Sequence, residues 1–75
     1  MANIVAMKEA AMKLIANCDY EMASVYYEQA GDAALLENNK DEATACYREA
    51  LECFRILERE DLIAQITKKI ESLSK

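Results

Sequence analysis

The chain has 75 residues, enough for a single domain, and a domain of that size buries only about 60 to 65% of its unfolded surface, so its core is thin unless helices pack closely or a partner adds area. Apolar residues make up 53% of it, yet only five are Phe or Tyr and thirteen are Ala, with no Pro and a single Gly; this predicts closely spaced helices whose corners are made by Asn and Asp. The net charge of −5 is uneven, with twelve acids and four bases in residues 19–61 and two acids and five bases in the flanks, the opposite of what a nucleic-acid partner requires.

The first predicted helix spans 3–17. Ile4, Met7, Ala10, Ala11, Leu14 and Ile15 recur at three-and-four spacing, Asn3 is placed to cap, and Lys8, Glu9 and Lys13 face water. Asp19 restarts the chain as the cap of a second helix, 19–37, with a broad apolar face from Met22 to Leu35. Gly31 lies inside it. A glycine there costs about 1 kcal/mol against alanine, which predicts a crossing helix so close that a methyl group would clash.

Asn38-Asn39-Lys40-Asp41 is the clearest corner, with Asn39 capping the third helix and Glu42 reaching back. The third helix, 40–58, presents Ala43, Cys46, Tyr47, Ala50, Leu51, Phe54 and Leu57. Continuing its phase would put Asp61 and Lys68 in the core, whereas Leu62, Ile63, Ile66, Ile70 and Leu73 follow a different one. A break near Arg59 to Asp61 and a fourth helix, 61–74, result, and one bent helix over 41–74 is the alternative. Lys68 and Lys69 read as a solvated face.

One phrase occurs twice, twenty residues apart: Ala23, Tyr27, Ala30 and then Ala43, Tyr47, Ala50. Each triplet falls on one helical face, small, large, small, so that a second helix can approach and be gripped by the ring. Together with Gly31 and Phe54 these are packing residues, and the fold class they predict is all-α, an antiparallel stack of about four helices in one domain.

Read from Ser24 to Leu57, the order Tyr27, Ala30, Gly31, Ala34, Ala43, Tyr47, Ala50 resembles a tetratricopeptide repeat of 34 residues, as found in tetratricopeptide and SNAP-like helical hairpin proteins. It departs at Ala34, where the family has a bulky residue, and at Arg55, where it has proline. Residues 4–37 fit the same template and share the second helix, so that helix needs two packing faces. The Ala-rich second helix, the Asn-Lys-Asp-Glu-Ala corner and Tyr47, Ala50, Phe54 are also similar to the microtubule-interacting and trafficking domain, a three-helix bundle, although 66–75 lacks the run typical of its last helix.

The tetratricopeptide resemblance implies ligand-facing places at Val25, Glu28, Asp32, Leu35 and Leu36. Members that grip a terminal carboxylate need Lys and Asn there. Glu28 and Asp32 instead suit a basic or amphipathic segment, with the leucines as apolar grip. The surface between the first and second helices is the expected contact region. The function expected is therefore a protein-interaction module or adaptor for a partner peptide or helix, with a self-assembling homo-oligomer or a trafficking adaptor as alternatives.

Catalysis is not expected. There is no His, no nucleotide-binding glycine loop, and no Ser or Cys beside a base, so neither catalytic residues nor a cofactor are assigned. Cys18, Cys46 and Cys53 form an odd set without a Cys-x-x-Cys pair, read as reduced thiols filling core space and not as a metal site. Apolar stretches of four residues or fewer and the lack of a basic-then-apolar leader predict a cytoplasmic protein that does not insert into membranes.

Overall fold

Three corners share one backbone design at a spacing of twenty residues. Cys18, Asn38 and Glu58 adopt left-handed geometry, with φ of 60, 60 and 57°. At each corner the N–H of that residue donates three positions back, to Ile15 O at 2.9 Å, Leu35 O at 3.0 Å and Arg55 O at 3.1 Å. The next N–H donates five back, from Asp19 to Leu14 O at 2.8 Å, Asn39 to Ala34 O at 2.9 Å and Arg59 to Phe54 O at 3.0 Å. This pattern satisfies the last carbonyls of a helix and turns the chain at once.

The computed structural model describes residues 3–74, and in it the corners separate four helices: α1 (Ile4–Ala16), α2 (Tyr20–Leu36), α3 (Lys40–Ile56) and α4 (Glu60–Leu73). The predicted spans agree to within two residues at each end. The break before α4 falls at Leu57–Arg59, slightly earlier than expected, because Glu58 in left-handed geometry ends α3; the single bent helix over 41–74 is thereby excluded. Four helices also exceed the three that the trafficking-domain resemblance implies.

The caps follow the sequence. Asn3 Oδ1 accepts from the Ala6 N–H at 3.0 Å, Asp19 Oδ1 from Met22 at 3.2 Å and Asn39 Oδ1 from Glu42 at 3.1 Å. Arg59, the fourth cap, makes no such bond, and Glu60 and Asp61 supply the negative charge that suits the start of α4. The Glu42 side chain does not reach back to Asn39, as a capping box would have it. Its carboxylate is taken by Lys8 Nζ of α1 at 2.9 Å, a full opposite charge in place of a backbone dipole.

Each helix packs on its chain neighbours, α1 on α2, α2 on α3 and α3 on α4. Ion pairs join helices two apart, Lys8 to Glu42 between α1 and α3 and Lys69 to Glu28 between α2 and α4. The result is an all-α hairpin stack in two layers, α1 with α3 and α2 with α4, forming a slab of 31 × 27 × 13 Å between Cα atoms. One core runs between the layers through Ala11, Ala23, Tyr27, Ala34, Ala43, Tyr47, Ala50, Phe54 and Ile66.

Both Ala-Tyr-Ala triplets are buried, with Tyr27 3% and Tyr47 1% exposed. Cys46 and Cys53 are buried small hydrophobes, but Cys18 is exposed, because its left-handed corner lies outside the layers. α4 turns Ile66 inward and leaves Glu60, Asp61, Gln65, Lys68 and Glu71 in water, the polar outer face of a capping helix. Among the described residues no helix is long and apolar enough to cross a membrane.

Candidate functional site

The five residues implied as ligand-facing all lie on α2, but they do not form one patch. Val25 and Leu36 are exposed, at 43% and 87%, about 16 Å apart along the helix at 1.5 Å per residue. Leu35 packs against the core. Glu28 and Asp32 face α4 and are engaged there by Lys69.

Lys69 Nζ lies 2.7 Å from Glu28 Oε2 and 3.7 Å from Asp32 Oδ1, with its ammonium 5.3 Å from the centroid of the Tyr47 ring. The Tyr47 hydroxyl donates to Asp32 Oδ1. The hydrogen bond to Glu28 raises the pKa of Lys69, ahead of the opposing effect of burial. Burial first, then the bond to Asp32 and the charges of Asp32 and Glu28, push the Tyr47 phenol well above its ordinary range. Lys69 therefore closes the middle of the acidic face instead of standing in solvent as the sequence reading had it. Opposite charges on helices two periods apart are the signal that would have found it.

Toward the start of α2 the space between α2 and α4 stays open. A groove of about 290 Å³ is lined by Glu21, Ser24, Val25 and Glu28 on α2, by Phe54 of α3, by Leu57 and Arg59 of the corner, and by Leu62 of α4. Val25, Phe54, Leu57 and Leu62 make it apolar, and Glu21, Glu28 and Arg59 surround it with charge. The Ser24 hydroxyl donates its proton to the Glu21 carbonyl at 2.7 Å, which leaves it only an acceptor toward the groove. Of the five implied positions, Val25 and Glu28 belong to this groove. Glu21, Leu57, Arg59 and Leu62 were not singled out as a site, because the corner that brings Arg59 and Leu62 across Val25 depends on the position of the break.

The other layer has a matching groove, also of about 290 Å³, between α1 and α3. It is lined by Lys8, Met12, Tyr27, Ala45, Cys46 and Glu49. Burial raises the pKa of the Cys46 thiol, and that of the Tyr27 hydroxyl, above the ordinary values, which makes neither a nucleophile near neutral pH. Among the described residues no group of three or more Cys, Asp or Glu is placed to share a metal ion. Compared with known proteins, the chain matches no family model, no curated protein and no solved structure.

Proposed function

We propose that this chain is a protein-interaction module whose α2/α4 groove takes an amphipathic, basic segment of a partner protein, in the manner of a tetratricopeptide-like hairpin stack. The observation that carries the reading is the pairing of an apolar floor, Phe54, Leu57 and Leu62, with the carboxylate of Glu21 and that of Glu28, which is shared with Lys69, at an edge that Arg59 completes. An apolar side chain of the partner would enter beside Val25, and a basic one would meet the acids. The acidic middle of the chain extends the same preference. A role as an adaptor in the cytoplasm belongs to this reading, supported by free, buried Cys46 and Cys53, which suit a reducing compartment.

The test is a titration of 15N-labelled protein with a peptide of alternating Leu and Lys, followed by amide shifts. Saturable shifts at Val25, Phe54, Leu57 and Leu62, lost with a Leu and Glu peptide and weakened roughly tenfold by Val25→Glu, are expected. Shifts elsewhere, or equal response to both peptides, would overturn the reading. A homo-oligomer is the second reading, favoured by Val5 and Met12, 65% and 55% exposed on α1, and by Ile56 at 56%. A mass that rises with concentration in sedimentation equilibrium separates the two.

A further inference from the structure

The α1/α3 groove and the Lys69 site between α2 and α4 occupy equivalent places in the stack, since residue n of one helix corresponds to residue n+20 of the next. Tyr27 stands for Tyr47, Lys8 for Glu28, Met12 for Asp32 and Glu49 for Lys69. Around Tyr47 the position is filled: Lys69 lies over the ring, and Asp32 accepts the hydroxyl. Around Tyr27 it is open. Glu49 replaces the lysine, Met12 replaces the aspartate, and a cavity of about 290 Å³ remains. Tyr27 is 3% exposed, and its hydroxyl, which makes no side-chain hydrogen bond among the described residues, opens onto that cavity and is not a buried orphan.

Charge points the same way. Lys8 is already neutralised by Glu42 at 2.9 Å, whereas Glu49 has no ion-pair partner among the described residues. A cation between Glu49 and the Tyr27 ring would restore, with charges supplied from outside, what Lys69 does for Tyr47. Attraction to the ring face and to the carboxylate then act together. Met12 and Ala45, on opposite walls, are apolar and can sheath an aliphatic stem.

We infer that the α1/α3 groove is a pocket for a lysine side chain of a partner protein, its stem between Met12 and Ala45 and its ammonium against Tyr27 and Glu49. The pocket lies in the opposite layer from the α2/α4 groove and does not depend on the reading of that groove.

The probe is an acetylated, amidated peptide of Ala-Ala-Lys-Ala-Ala, titrated into 15N-labelled protein alongside the same peptide with norleucine or Glu in place of Lys. The lysine peptide should shift Ala45, Cys46 and Glu49 saturably, and the other two should not. Glu49→Gln should weaken binding about fivefold, and Met12→Asp, which copies Asp32 onto this groove, should strengthen it about fivefold. Both positions are exposed, circular dichroism is the check that the variants fold, and Glu49→Gln decides alone if Met12→Asp does not. Equal binding of the norleucine peptide would leave only an apolar slot, and preference for the Glu peptide would make Lys8 the recognising group; either overturns the inference. So would unchanged affinity in Glu49→Gln, or shifts at these residues that follow protein concentration without peptide, which would show a second copy in the groove.

Discussion

The ring of Tyr47 lies directly over the backbone of Gly31. A β-carbon added at Gly31 would stand 2.6 Å from Tyr47 Cδ1 and 3.0 Å from Cζ, inside the contact distance of carbon atoms. Tyr47 is 1% exposed and held by Asp32, so the ring cannot swing aside without breaking that bond. Gly31→Ala gains about 1 kcal/mol of helix propensity but forces α2 and α3 apart. The clash should win, with a net loss of about 1 to 2 kcal/mol and a Tm lower by about 4 to 16 °C. Adding Tyr47→Leu to Gly31→Ala should recover part of it relative to the sum of the single changes, since the two residues share one contact. Thermal unfolding by circular dichroism measures both.

The hydroxyl of Tyr47 predicts an alkaline limit. Its folded-state pKa lies above the ordinary 10.0, first because of burial and then because of Asp32. The folded chain thus holds this proton more tightly than the unfolded chain, so the contribution is complete below pH 10 and is lost as pH rises beyond it. Cys46 and Cys53, raised from 9.0 by burial, act in the same direction from pH 9 upward. Urea unfolding should give a flat stability from pH 7 to 9 and a decline above. Tyr47→Phe should lose about 1 kcal/mol at pH 7 through the missing hydrogen bond and show a shallower alkaline decline. An equally steep decline would mean that Tyr47 ionises as freely in the fold as outside it.

Cys18 and Glu58 adopt left-handed geometry with ordinary side chains. Glycine carries no β-carbon penalty there, so Cys18→Gly and Glu58→Gly should each stabilise by about 0.5 to 1 kcal/mol. Asn38→Gly should gain less, because asparagine tolerates this region. Denaturant midpoints in a common buffer rank the three.

Removing Lys69 separates stability from recognition. The Lys69 and Glu28 side chains are 42% and 36% exposed, so water and salt weaken their attraction. Lys69→Met should cost no more than about 1 kcal/mol in dilute salt, and less at high salt. It should also free Glu28 and Asp32, tightening the Leu and Lys peptide in the α2/α4 groove. Weaker peptide binding in this variant would place the peptide elsewhere.

The four helices were legible because small, apolar and capping residues recur in register, and Asn3, Asp19 and Asn39 cap as their chemistry dictates. The closeness at Gly31 was legible for the same reason. The left-handed geometry of Cys18 and Glu58 was not, since neither type favours it; what imposes it is the twenty-residue rhythm shared with Asn38. The ligand-facing set does not share one open face, because helical phase says which residues leave the core but not which helix then covers them. Glu28 and Asp32 meet Lys69, 41 residues from Glu28, only after two corners have turned.

Those three equal corners give the stack a parity. A further helix and corner of twenty residues, inserted after Asn39, would carry every later helix into the opposite layer, so that α4 would lie in the layer of α1 and the inserted helix and the meeting of Lys69 with Glu28 would be lost. Two such inserts would return α4 to the layer of α2 on a longer slab, with one inserted helix between them. Growth of this architecture therefore proceeds in steps of forty residues if its faces are to keep their identity, and a single added helix exchanges one face for the other.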